Sequence, residues 1–179
     1  MSLDAIRRIS KNHPRQLIPT MNWTIRCLTM ADYEAVLRLW RESEGVGLNE
    51  SDAPGPVESF LARNPGLSRV AFDGCALVGA VLCGHDGRRG YLHHLAVAKS
   101  HRQQGIGKAL VAACLGDLAR TGIPKCNIFL LADNHAGGAF WEHNGWAKRA
   151  DLLVMQIPLP RHPGEQPLAN SPNTGCQSC

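Results

Sequence analysis

The stretch Val97-Ala98-Lys99-Ser100-His101-Arg102-Gln103-Gln104-Gly105-Ile106-Gly107-Lys108 decides the fold. A largely apolar run over 91–97 leads into it, and a helical pattern over about 105–120 leads out. In that pattern Ile106, Leu110, Val111, Cys114, Leu115 and Leu118 recur with the 3.6-residue period that places them on one face. Strand, short loop and helix opening on glycine make a place for an anion. Gly105 and Gly107 carry no side chain, so the backbone can approach a ligand closely. The first amides of a helix have no partner within it, and the helix dipole adds to their pull on negative charge. Arg102 and Lys108 add full positive charges. The reading is a pyrophosphate cradle; on glycine spacing alone, the alternative is a tight strand-to-helix turn with surface charges.

Two other phosphate-binding patterns fail on the same letters. The Walker A loop needs glycine where Arg102 stands and Ser or Thr where Ala109 stands. The dinucleotide fingerprint needs glycine where Leu110 stands, and its acidic residue about 20 positions on is missing.

Working outward, the pattern alternates. A short strand is expected over 23–28, then a helix over 31–43, capped by Thr29, with Tyr33, Val36, Leu37 and Trp40 on one face. A second helical piece over 56–63 ends at Asn64-Pro65-Gly66. Strands over 68–72, 76–84 and 91–97 are separated by the turn signals Asp73-Gly74 and Asp86-Gly87. After the helix over 105–120, Gly122 and Pro124 make a stop. A buried strand over 126–131, a helix over 134–144 weakened by Gly137-Gly138, and a last strand over 152–157 complete the order. The expected class is α/β, a mixed and mostly antiparallel sheet flanked by helices.

The 179 residues are 44% hydrophobic and 19% charged, which fits one globular domain and excludes a disordered bulk. No apolar run reaches the roughly 20 residues of a membrane helix. The balance of 19 basic against 15 acidic residues suits a small polyanion and is too weak to imply nucleic acid. Of seven cysteines, Cys27, Cys75, Cys83, Cys114 and Cys126 read as buried free thiols; no metal-ligand spacing appears, so no metal is expected. The odd count and the lack of a signal-peptide pattern point to a reducing cytoplasm. Cys176 and Cys179 form a CxxC in a proline-rich tail, a weak metal or redox signal. Residues 1–20 read as a flexible extension with a short basic helix at most, 21–159 as the domain, and 160–179 as a disordered tail.

The cradle motif and its surroundings resemble the GCN5-related N-acetyltransferase (GNAT) family. Arg102-Gln103-Gln104-Gly105-Ile106-Gly107 matches the family's [Gln/Arg]-x-x-Gly-x-[Gly/Ala] acetyl-coenzyme A motif. Leu95-Ala96-Val97 is similar to its fourth strand. Asn134-His135-Ala136 with Phe140-Trp141-Glu142 and Gly145-Trp146 resembles its last helix. The likeness spans roughly 22–158 and looks most like the small RimI-like bacterial group. It implies a sheet splayed between the fourth and fifth strands, with the pantetheine arm of acetyl-CoA in the gap. The arm would pair with the backbone of Leu95, Ala96 and Val97. The pyrophosphate would rest on Arg102, Gln103, Gln104, Gly105, Ile106, Gly107 and Lys108. Asn134, Phe140 and Trp141 would border the arm. The implied reaction is direct attack of a primary amine on the thioester, with no covalent enzyme intermediate.

Two family features are replaced in this chain. Trp141 stands where the family often has an acidic tyrosine, and an indole N–H is no useful acid. The strand over 91–97 carries no glutamate base; it offers His93 and His94. Strand alternation predicts Tyr91, His93, Leu95 and Val97 on one face, with Leu92, His94 and Ala96 on the other. His93, sharing a face with Tyr91, is the favoured base. The alternatives are that both histidines are structural and that water relays the proton. Glu44, Glu50 and Asp52 lie where the family builds its acceptor wall and read as a solvated loop; Trp40 reads as core. The expected acceptor is a small-molecule or peptide amine, with a homodimer as the family's common assembly. Neither a membrane nor a nucleic-acid partner is expected. The rival readings are an acyl-CoA sensor on the same scaffold and a nucleic-acid module using the basic N-terminal arm.

Overall fold

The structure, a computed structural model, describes residues 22–159. Five strands form one sheet in the order of the chain: β1 (Trp23–Cys27), β2 (Arg69–Asp73), β3 (Ala76–His85), β4 (Gly90–Val97) and β5 (Cys126–Ile128). The first four pair antiparallel, and β5 runs parallel to β4. Gly74 supplies the left-handed turn between β2 and β3, at φ +57°.

Helices cover both faces. α1 (Tyr33–Arg41) and α2 (Pro54–Arg63) lie on one side, α3 (Ile106–Arg120) and α4 (His135–His143) on the other. On the α1 side, Val36, Leu37 and Trp40 pack with Val57, Val70, Ala80 and Leu82. On the α3 side, Ile106, Leu110, Cys114 and Leu118 pack with Ala71, Val81, Leu92 and Trp141. The close seating of α3 depends on Gly79, where a Cβ would stand 3.0 Å from Leu110 and 3.1 Å from Ile106. Thr29 opens a single 3-10 turn over Met30–Asp32 that feeds α1, so the α-helix itself is shorter at both ends than the expected 31–43. Asp32 takes the Thr29 amide at 3.0 Å and the Arg26 guanidinium at 2.6 Å; that pairing with Arg26 holds its carboxyl at about 2. Asp117, buried on α3, is neutralised by Arg69 and Arg120.

Four expectations are corrected. The residues at 152–159 form no strand, and Leu153, Val154, Met155, Ile157 and Leu159 are exposed. Their apolar letters carry strand propensity, but a strand exists through its pairing, and no described strand pairs with them. β5 stops at Ile128 instead of 131, because its pairing with β4 ends at Leu92–Ile128. Cys83 and Cys114 are buried as expected and Cys126 is half-buried, whereas Cys27 and Cys75 are exposed; all five are free thiols.

The fourth correction bears on the site. Simple alternation fails along β4, because β3 and β4 slip register between Ala80 and Leu82. Ala80 faces Ala96 and Leu82 faces His93, so His94 and Leu95 together oppose Val81. Leu92 therefore packs under α3, while Ala96, of the same parity, packs under α1. The basic helix within residues 1–20 and the Cys176/Cys179 pair lie outside the described residues.

Candidate active site

The cradle forms as the chain leaves β4. A 3-10 turn over Lys99–His101 is followed by Gln103 at φ +62° and Gly105 at φ +81°. A non-glycine residue in the left-handed region is uncommon, and here Gln103 and Gly105 both adopt it within three positions. The first backbone bond of α3 runs from the Ala109 amide to the Gly105 carbonyl, 2.9 Å. Among the described residues the amides of Gln103 to Lys108 have no backbone acceptor. Gly107 lies beneath α4, where a Cβ would meet Phe140 at 3.4 Å and Val97 at 3.6 Å. Beside the cradle, Arg102 donates to the Val97 carbonyl at 3.3 Å and to Glu44 at 3.4 Å. Lys99 meets the same carboxylate at 2.7 Å. These two cations, Lys99 first, hold the Glu44 carboxyl below the usual range. An anion entering the cradle would compete with Glu44 for them.

The cradle opens into a cleft. β4 and β5 pair at Gly90–Cys126, Tyr91–Asn127 and Leu92–Ile128 and then part. From His93 to Val97, that side of β4 has no strand partner among the described residues. The gap holds a cavity of about 980 Å³, within the size usual for ligand sites. α4 forms its far wall, with Phe140 and Trp141 edge to face at 5.1 Å and Trp141 backed by Trp146 at 4.8 Å. Asn134 caps α4 by accepting the Gly137 amide at 2.8 Å. A Cβ on Gly137 would come within 2.7 Å of the Asn134 side chain, and one on Gly45 within 2.0 Å. The two glycines give the cap its room and bring the loop after α1 against α4.

At the other end the bulge presents two imidazoles to the cavity. His93 stands among rings: Tyr91 stacked at 6.3 Å, Phe129 at 6.5 Å and Phe60 edge-on at 6.0 Å. Burial pushes its imidazole below the ordinary value, and the neighbouring His94 adds to the shift. His94 sits at φ +51° with its ring 5.0 Å from Trp40. Trp40 Nε1 donates to the His94 carbonyl at 2.9 Å, and His94 Nε2 lies 2.6 Å from Asp52 Oδ1.

Most residues singled out in the sequence meet in this cavity. Leu95, Val97, Arg102, Gln103, Gly105, Ile106, Gly107, Lys108, Asn134, Phe140, Trp141 and His93 all line it. Ala96 packs under α1, Gln104 reaches back to the Ser100 carbonyl at 3.3 Å, and the Tyr91 hydroxyl donates to Asp86 at 3.4 Å. Trp40 is core, as read from its spacing. Glu44 and Glu50 are exposed, but Asp52 is buried and contradicts the solvated-loop reading. The missed signal was the spacing Asn49-x-x-Asp52. It is a capping box around the 3-10 turn Glu50–Asp52, in which an acidic side chain turns back to the Asn49 amide.

The sequence profile of the acetyltransferase (GNAT) family matches residues 33–146. The chain belongs to the GNAT family. N-acetyl transfer is accordingly its class of chemistry. An acetyltransferase of Yersinia enterocolitica is 34% identical over 130 residues, covering 73% of this chain and 92% of that protein. One from Sodalis glossinidius is 29% identical over 131 residues, with the same shares covered. Among solved structures, the Ard1 protein of Thermoplasma volcanium superposes with a TM-score of 0.64 at 20% identity, over 72% of this chain and 85% of that one. The PaiA N-acetyltransferase of Thermoplasma acidophilum, in complex with coenzyme A, gives 0.62 at 21% identity, over 69% and 88%. These structures share the GNAT fold, and the sheet parting between β4 and β5 is its feature here. No helix among the described residues is long and apolar enough to cross a membrane.

Proposed function

We propose that the protein transfers the acetyl group of acetyl-coenzyme A to a primary amine, by direct attack of the amine on the thioester, with residues 21–159 as the transferase unit. One observation carries this reading: a single cavity runs from the free amides at Gln103–Lys108 to the imidazoles of β4. The amides take the pyrophosphate, as helix N-termini take anions; Lys108 offsets its charge, and Arg102 joins it once Glu44 is displaced. On the side of β4 that β5 leaves open, the backbone of the segment Leu95, Ala96 and Val97 suits the amide groups of the pantetheine arm. Asn134, Phe140 and Trp141 wall it from the α4 side. The PaiA structure carries coenzyme A, which supports the same ligand for this fold.

At neutral pH an alkyl amine arrives as an ammonium and must lose a proton before it can attack. A neutral imidazole suits that task. Burial favours the uncharged form of His93, which stacks on Tyr91, and His94 is the second imidazole lining the cavity. Trp141 gives the cavity wall no proton donor of useful acidity, so the thiolate leaves without one from this position. Acceptors among the fold neighbours include ribosomal-protein alanine for a Brucella melitensis enzyme, which supports a small-molecule or peptide amine here.

The test is release of free thiol from acetyl-CoA across amine classes, with the acetylated product identified by mass. Peptide N-termini, lysine side chains, polyamines, amino acids and aminoglycosides form the panel. Amine-dependent thiol release matched by amide product is the expected result. Coenzyme A binding with no release for any amine would install the sensor reading instead, which Trp141 in the tyrosine position favours.

A further inference from the structure

We propose that His94 takes the proton from the acceptor's ammonium group, and that Asp52 is the positioning residue that aims it. The proposal rests on the amine-acetylation reading above. Three features converge on His94. The first is the bulge. Straight alternation would turn His94 away from the face of His93; the two-against-one pairing with Val81 brings both into the cavity. A left-handed conformation at a non-glycine residue is strained and persists only where its surroundings hold it. Here the Trp40 bond to the His94 carbonyl and the Asp52 bond to its ring hold it in place.

The second feature is the setting of Asp52. Its side chain is 5% exposed. Oδ2 accepts the Asn49 amide at 2.8 Å, and the Tyr33 hydroxyl fixes the backbone by donating to the Asp52 carbonyl at 2.9 Å. With Asp52 as a carboxylate, which only accepts hydrogen bonds, the hydrogen in the 2.6 Å contact belongs to His94 Nε2. In the neutral ring the basic lone pair is then on Nδ1, which has no hydrogen-bond partner among the described residues. The third feature is the contrast with His93, whose ring is surrounded by Tyr91, Phe129 and Phe60 and accepts no orienting hydrogen bond among the described residues.

The step balances as follows. Neutral His94 receives one proton from the ammonium and becomes imidazolium beside the Asp52 carboxylate. The freed nitrogen lone pair forms the C–N bond to the thioester carbonyl carbon. The C–S bond breaks and its electrons leave on sulfur. The second surplus proton of the nitrogen passes to the thiolate, giving thiol and amide, and His94 returns its proton to solvent.

The other ionisable groups lining the cavity are His93 on the same strand, Glu44 after α1, His101, Arg102 and Lys108 at the cradle, and His143 on α4. Asp52 and Tyr33 stand behind His94. Their contributions are separated by variant. With an amine found active in the panel, kcat/KM of the native protein should rise with pH and level off, with one inflection where the base loses its proton. His94→Ala should remove that inflection and lower kcat by about 10²-fold or more. Asp52→Asn should lower kcat by about tenfold while KM for acetyl-CoA and calorimetric coenzyme A affinity stay within twofold; that split is not the mark of a loosened fold. If Asp52→Asn does not fold, ¹⁵N spectra of the native protein decide the same point. The neutral His94 ring should carry its hydrogen on Nε2. A neutral ring protonated on Nδ1 overturns the proposal. So does an inflection lost in His93→Ala and kept in His94→Ala. Failure of every amine in the native protein defeats the acetylation reading and is visible before any variant is made.

Discussion

The two ends of the cavity are built in opposite ways. At the cradle the binding atoms are backbone amides of consecutive residues, Gln103 to Lys108, and the side chains there serve mainly by being small or charged. At the reaction end the groups are side chains, and His94 and Asp52 meet across 42 positions of sequence. A main-chain site tolerates changes of side chain until backbone conformation or access is altered. A side-chain site is lost with one atom. The same cavity should therefore yield affinity defects at one end and rate defects at the other.

The largest expected effect tests whether the wall between the two ends is separable from the core. Trp141 closes the cavity but is only 8% exposed and packs on Trp146 and the α3 core. Trp141→Ala should destabilise the protein by about 3–5 kcal/mol, measured by denaturant unfolding. Trp141→Phe should keep coenzyme A affinity within a few-fold. A stable alanine variant would mean that α4 does not share the core. Next comes Gly105, whose φ of +81° strains any other residue although open space surrounds it. Gly105→Ala should cost about 1–2 kcal/mol, read as a fall in Tm of about 2–8 °C. Its loss of coenzyme A affinity should exceed any loss in kcat at saturating acetyl-CoA. Equal losses in both would break the division between the ends. The smallest effect belongs to Glu44, which is exposed and engages Lys99 and Arg102. Glu44→Gln should tighten coenzyme A binding slightly at low salt, and the gain should vanish as ionic strength rises.

The difference between the ends also explains what the sequence disclosed. The cradle is local: glycine spacing, a preceding strand and a following helix lie within one continuous stretch, so its chemistry can be read from letters. Asn134, Phe140 and Trp141 were placed by the family resemblance, and all three line the cavity. The β4 bulge was not. It arises from the register between β3 and β4, and nothing within 91–97 announces that His94 and Leu95 will share one partner, Val81. Asp52 was read as solvated because its neighbours are polar, although its capping spacing was present and its burial comes from the tertiary contact with β4. The residues at 152–159 erred the other way: strong apolar letters met no described strand to pair with.

Calorimetric titration of coenzyme A into the native protein and Gly107→Glu tests the central claim most directly. Gly107 faces the cavity beneath Phe140, at the first turn of α3. A glutamate there places bulk and negative charge where the pyrophosphate should rest. The account predicts binding to the native protein and at least tenfold weaker binding to the variant, about 1.4 kcal/mol, with the two melting temperatures close. Equal affinity in a folded variant would contradict it, because the amides of Gln103–Lys108 would then not be the phosphate site.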